Sequence, residues 1–110
     1  MKRIALLLAV GCALALPFAA QARGNAERGK EKAQPCAACH GPQGNQPIGP
    51  DFPILAGQPA DYLSKVLRDY KSGARANAIM KGLAEPLSKQ DIEDLAAYFA
   101  AQPSKLQTHR

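Results

Sequence analysis

Side chains able to ligate a metal or act as thiols are scarce in this chain: three cysteines, two methionines and two histidines among 110 residues. Each candidate ligand can therefore be considered individually. No stretch of about four to eight residues alternates apolar and polar positions with β-branched enrichment, so no strand is expected and the fold class reads as all-α. There is no run of basic residues, and no aromatics interleave the scattered lysines. The net charge of +5 is therefore not a nucleic-acid signal. Internal repeats and low-complexity tracts are also lacking, which points to one domain. No apolar run reaches the roughly 20 residues that a membrane-spanning helix needs.

The first residues read as a processing segment. Lys2 and Arg3 form a positive start, Ile4 to Phe18 is an apolar stretch broken by small residues, Cys12 and Pro17, and Ala20-Gln21-Ala22 fits a small-x-small cleavage pattern. Residues 1–22 are expected to be a cleaved secretory signal and residues 23–110 a single domain. A retained anchor would need a longer apolar run. A lipoprotein attachment at Cys12, which follows Gly11, would leave the apolar residues beyond it without a use. Cleavage removes 22 of 110 residues and leaves 88. It takes two of the 14 basic residues and none of the 9 acidic ones, so the net charge falls to +3. A core of that size is marginal unless something staples it.

Cleavage also removes Cys12. The two cysteines that remain lie in Cys36-Ala37-Ala38-Cys39-His40. C-x-x-C-H is the attachment signature of c-type haem. Two thiols three positions apart can reach the two vinyl groups on one edge of a porphyrin and form thioethers. The histidine that follows at once is placed under the iron. One such motif means one haem, held covalently and large enough to staple a small core. A disulfide suits an exported chain and explains the cysteine spacing, but leaves His40 without a role. A thiol–disulfide oxidoreductase normally sets C-x-x-C after a strand, and no strand is found. A structural zinc site would lack a fourth ligand, and adjacent Cys39 and His40 are poorly placed to share one tetrahedral ion.

The rest of the chain divides into four regions. Residues 25–34 read as a short helix capped by Asn25, with Gly29 in its middle at a cost of roughly 1 kcal/mol against alanine. A helix tolerates that cost where another helix must approach closely. Residues 41–60 hold Gly41, Pro42, Gly44, Pro47, Gly49, Pro50, Pro53, Gly57 and Pro59, which forbids a long helix. This loop needs something to wrap around, and a haem edge would serve. Residues 60–72 are helical, with Asp61 at the start, Tyr62, Leu63, Val66, Leu67 and Tyr70 on one face, and Gly73 as the stop. Residues 88–101 form the clearest helix: Ser88 and Asp91 resemble a capping box, and Ile92, Leu95, Ala96 and Phe99 make an i, i+3, i+4, i+7 stripe that Pro103 ends.

Iron held by one histidine has a sixth position to fill. Met80 is the only methionine left after cleavage, and His109 is the only other histidine. Met80 lies in Ala74–Leu87, which contains Gly82 and Pro86 and reads as a loop that can drape over a haem face. His109 lies in a polar tail beyond Pro103, where fraying is expected. Met80 is favoured. Histidine–methionine ligation fills both axial positions, favours ferrous iron and suits electron transfer rather than catalysis.

The residues from Gly29 to Phe99 resemble the small class I cytochromes c of bacterial periplasms. The likeness is carried by Cys36-Ala37-Ala38-Cys39-His40-Gly41, Ile48-Gly49-Pro50, Leu55-Ala56-Gly57-Gln58, Tyr70-Lys71-Ser72-Gly73-Ala74-Arg75, Asn77-Ala78-Ile79-Met80, and Leu87 through Phe99. It implies three to four short helices wrapped around one covalent haem c, with Cys36 and Cys39 as thioether sites and His40 and Met80 as axial ligands. It also implies that the Pro50 carbonyl accepts a hydrogen bond from the His40 ring, and that Gly29 of the first helix meets Tyr98 of the last. Ala33 departs from the pattern, because many relatives carry a larger apolar side chain there.

The function implied is that of a periplasmic electron carrier, not an enzyme, with iron cycling between Fe(III) and Fe(II). Redox protein partners would dock transiently. No nucleic acid, no membrane insertion after cleavage and a monomeric state are expected. The alternative is the haem subunit of a larger dehydrogenase or oxidase. Lys65, Arg68, Lys71, Arg75 and Lys81 are candidates to rim the haem edge and steer an acidic partner, unless they are an ordinary solvated face.

Overall fold

The computed structural model describes residues 24–106, together with Gly11. The proposed signal segment with its cleavage site, and His109, lie outside the described residues. Five helical segments follow one another: α1 (Ala26–Lys32), α2 (Ala37–His40), α3 (Ala60–Ser72), α4 (Ala78–Ala84) and α5 (Lys89–Ala100). No strand occurs among the described residues. A short 3₁₀ turn over Gln34–Cys36 leads into α2.

The caps explain where the helices begin. Asn25 accepts the Arg28 N–H at the start of α1. Ser88 accepts the Asp91 N–H at 3.0 Å while the Asp91 carboxylate accepts the Ser88 N–H at 3.0 Å, a complete capping box for α5. Pro59 precedes α3 without a side-chain cap, Asp61 sits in the first turn, and Gly73 closes the helix.

α1 crosses α5, and α3 packs on α5 from another side. The crossing is close at Gly29. A Cβ there would stand 2.0 Å from the Asp94 carbonyl oxygen and 2.7 Å from the Tyr98 Cβ. The mid-helix glycine is therefore required by its neighbour on α5, as the cost of placing it there suggests.

A buried polar clamp locks the same crossing. The Asp94 carboxylate accepts from the Asn25 N–H at 2.7 Å, from Arg28 Nε at 3.0 Å and from Gln90 Nε2 at 2.9 Å. Burial pushes its carboxyl up, but the hydrogen bonds from Arg28, Asn25 and Gln90 and the Arg28 charge outweigh that and hold it below the usual carboxylate range. On the other side of α5, Ser64 donates to Glu93 at 2.6 Å and Arg68 pairs with the same carboxylate at 3.2 Å, tying α3 to α5.

The core is thin. Nine apolar residues are buried among those described, and four of them are alanines. Ala33, Leu63, Leu95, Ala96 and Phe99 form one cluster, with Cys36, Leu55, Leu67, Leu87 and Tyr98 packed against it. Ala33 thus belongs to the core despite its small size. Tyr62, placed on the apolar face of α3 by periodicity, is instead 48% exposed.

Residues 74–87 are not the continuous loop that Gly82 and Pro86 suggest. Asn77 caps a helix of seven residues, α4, which packs against α3. Alanine, isoleucine, methionine, lysine and leucine are adequate helix formers, and one glycine costs only about 1 kcal/mol. The cap and the packing outweigh it.

Candidate haem site

Cys36, Cys39 and His40 lie on one short stretch, from the end of the 3₁₀ turn to the end of α2. Both cysteines are free and half-buried. Burial pushes the Cys36 thiol up. A redox-active C-x-x-C needs the opposite shift, because the thiolate is the nucleophile. Among the described residues no three His, Cys, Asp or Glu side chains are grouped as a metal-ion site requires, so a zinc site on Cys36, Cys39 and His40 has no geometric support.

His40 is the best-held side chain of the motif. It is 5% exposed. Its Nδ1 lies 2.8 Å from the Pro53 carbonyl oxygen. A carbonyl can only accept, so the proton sits on Nδ1 and the Nε2 lone pair is left for a metal. Phe52 stands edge-on to the ring, with centroids 6.2 Å apart at 87°.

The acceptor is therefore Pro53 and not Pro50. Pro50 lies in a turn closed by the Phe52 N–H on the Gly49 carbonyl and is exposed. The chain comes back to the histidine only three residues later.

The loop around His40 is pinned by backbone hydrogen bonds. Ile48 N–H donates to the Cys39 carbonyl, Leu55 N–H to Gly44, and Gly57 N–H to Phe99 on α5. Gly41 turns the chain directly after the histidine with φ +80, and a Cβ there would meet the Gln46 carbonyl oxygen at 2.0 Å. Only glycine fits on both counts.

Met80 stands on α4, a separate element, and is half-buried. Its N–H donates to Asn77 Oδ1 at 3.0 Å. Asn77 and Pro53 contact the two candidate ligand residues, and spacing alone did not pick them out. Asn77 had a local signal, an asparagine directly before a short apolar run.

The residues fit a haem. A neutral imidazole nitrogen and a thioether sulfur are the donor pair of a histidine–methionine haem, and two unpaired thiols stand beside the histidine. Ile48 at 68%, Ile79 at 65% and Leu83 at 43% exposure leave apolar surface in the two segments that carry the candidate ligands.

The five basic residues considered for a docking rim all have partners within the chain. Lys65 pairs with Asp69, Arg68 with Glu93, and Lys81 with Glu85. Lys71 donates to the Leu87 carbonyl, and Arg75 lies over the Tyr70 ring at 5.0 Å.

The family model described as Cytochrome c matches residues 26–102. The chain belongs to the cytochrome c family. Members of this family carry covalently attached haem c, and Cys36 and Cys39 fit its attachment motif. The chain is 48% identical over 97 residues to cytochrome c4 of Pseudomonas aeruginosa, covering 88% of this chain and 48% of that protein. It is 42% identical over 82 residues to cytochrome c-554(548) of Halomonas halodenitrificans, covering 72% of this chain and 98% of that one. The crystal structure of reduced recombinant cytochrome c4 from Pseudomonas stutzeri superposes with a TM-score of 0.70 at 44% identity, covering 76% of this chain and 48% of that chain. The chain thus spans about half the length of the cytochromes c4 that it matches. No helix among the described residues is long and apolar enough to cross a membrane.

Proposed function

We propose that this chain is a single-haem electron carrier of the periplasm. Cys36 and Cys39 form the thioethers, His40 Nε2 and Met80 Sδ are the axial ligands, and residues 1–22 are the export signal removed after Ala22. The hydrogen bond from His40 Nδ1 to the Pro53 carbonyl carries the proposal, because it fixes the tautomer and orientation that an axial imidazole requires.

The bound haem supplies one-electron chemistry between ferric and ferrous iron. The chain's own residues do the remainder. The two thioethers make the cofactor part of the polypeptide. Pro53 orients the imidazole. The Met80 thioether is a soft, neutral ligand that favours the ferrous state. Held by both His40 and Met80, the iron would offer no position to a substrate, which suits a carrier better than an enzyme. Partners dock transiently, as small redox interfaces do, and the chain works as a monomer.

Mass spectrometry of the exported polypeptide tests this reading. The expected mass is that of residues 23–110 plus one haem, with both thiols unreactive to alkylation. A polypeptide of the same length with two free thiols and no added tetrapyrrole would overturn it.

A further inference from the structure

The proposed methionine ligand sits on a short helix held by its packing on α3 and by one side-chain cap. α4 has seven residues, and helices that short do not persist in water on their own strength. Its first turn is fixed by Asn77, whose Oδ1 accepts the N–H of Met80 itself at 3.0 Å. The segment before the cap is laid on the end of α3. The Arg75 N–H donates to the Asp69 carbonyl at 3.1 Å, and the Arg75 guanidinium lies 5.0 Å over the ring of the buried Tyr70. Between that anchor and Met80, the cap is the one side-chain hydrogen bond that reaches the ligand residue among the described contacts.

We propose that Asn77 is a positioning residue for the methionine ligand: its cap on the Met80 N–H sets how readily an outside ligand displaces the sulfur from the iron. The inference rests on Met80 being the axial ligand. Displacement is taken to carry the Met80 backbone away from its place, so that the cap is lost in the same movement. The cap therefore counts against displacement. Losing an asparagine cap corresponds to about a five-fold change in an equilibrium constant.

Imidazole titration of the ferric haem-loaded protein tests this, followed through the shift of the main haem absorption band in every variant and, where Met80 is present, through loss of the long-wavelength methionine–iron charge-transfer band. Asn77→Ala is expected to bind imidazole about five-fold more tightly than the parent, while Asn77→Ser, which can still cap, stays close to the parent. Equal affinities for Asn77→Ala and the parent, with only the melting temperature lowered, would make the cap merely structural and overturn the proposal. So would equal shifts in Asn77→Ala and Asn77→Ser. Met80→Ala separates the two levels. If the parent already binds imidazole as tightly as Met80→Ala, the ligand assignment itself has failed, whatever Asn77 does.

Discussion

The two proposed ligands, His40 and Met80, are held differently. His40 is buried, its ring is held by Pro53, and its loop is tied by backbone hydrogen bonds that reach α5. Met80 is half-buried on a seven-residue helix, in a stretch from Lys71 to Ile79 that is exposed throughout. One ligand is fixed by the fold. The other rests on a cap and one packing face. With His40 and Met80 as the proposed ligands, the contrast assigns rigidity to the first and adaptability to the second, so changes in ligation should start at the methionine.

The sharpest way to break that contrast is at the glycines. Gly41→Ala places a Cβ against the Gln46 carbonyl at a φ that disfavours any side chain. A loss of about 3 kcal/mol or more is expected, read as a fall in denaturation midpoint and in yield of haem-loaded protein. An unchanged midpoint would show that the histidine loop is not rigid. Gly29→Ala forces α1 away from Asp94 and Tyr98, at an expected cost of about 2–3 kcal/mol by the same measurement.

Asp94 ties that crossing electrostatically. Asp94→Asn should cost about 1–2 kcal/mol, below the buried-pair figure because Arg28 stands largely in water. The pH dependence follows from the depressed carboxyl. The Asp94 contribution is fully present above the unfolded carboxylate pKa of about 3.9 and is lost as pH falls through the lower folded value. Acid unfolding of Asp94→Asn should accordingly be shallower than that of the parent in this window. On the methionine side the effect reverses sign. A Cβ at Gly82 meets nothing within 4 Å, so Gly82→Ala should stabilise the protein by about 0.5–1 kcal/mol. A destabilised Gly82→Ala would mean that α4 is more tightly constrained than its exposure indicates.

The sequence carried the strongly periodic and capped parts of the fold. α1 with Asn25, α3 ending at Gly73, and α5 with its Ser88–Asp91 box lie close to where caps and apolar spacing put them. α4 was not legible, because seven residues give too little periodicity to outweigh Gly82 and Pro86. The acceptor for His40 was hidden for another reason. The loop from 41 to 60 has five prolines, each with a carbonyl able to accept, and only the path of the chain selects Pro53 over Pro50. The Arg28–Asp94 pair joins residues 66 positions apart, which no local pattern reveals. The basic residues of α3 and α4 were visible, but their pairing with Asp69, Glu93 and Glu85 was not.

Visible spectroscopy of the purified, haem-loaded protein under redox control, with Met80→Ala alongside, tests the two-sided ligation most directly. Haem should stay attached in both proteins, because His40 and the thioethers are untouched, with sharp ferrous bands in the parent and broadened ones in Met80→Ala, which loses its sixth ligand. The long-wavelength ferric band should appear in the parent and vanish in Met80→Ala, which should also show a lower reduction potential. A parent protein without that band, or a variant with an identical spectrum and potential, would contradict the account.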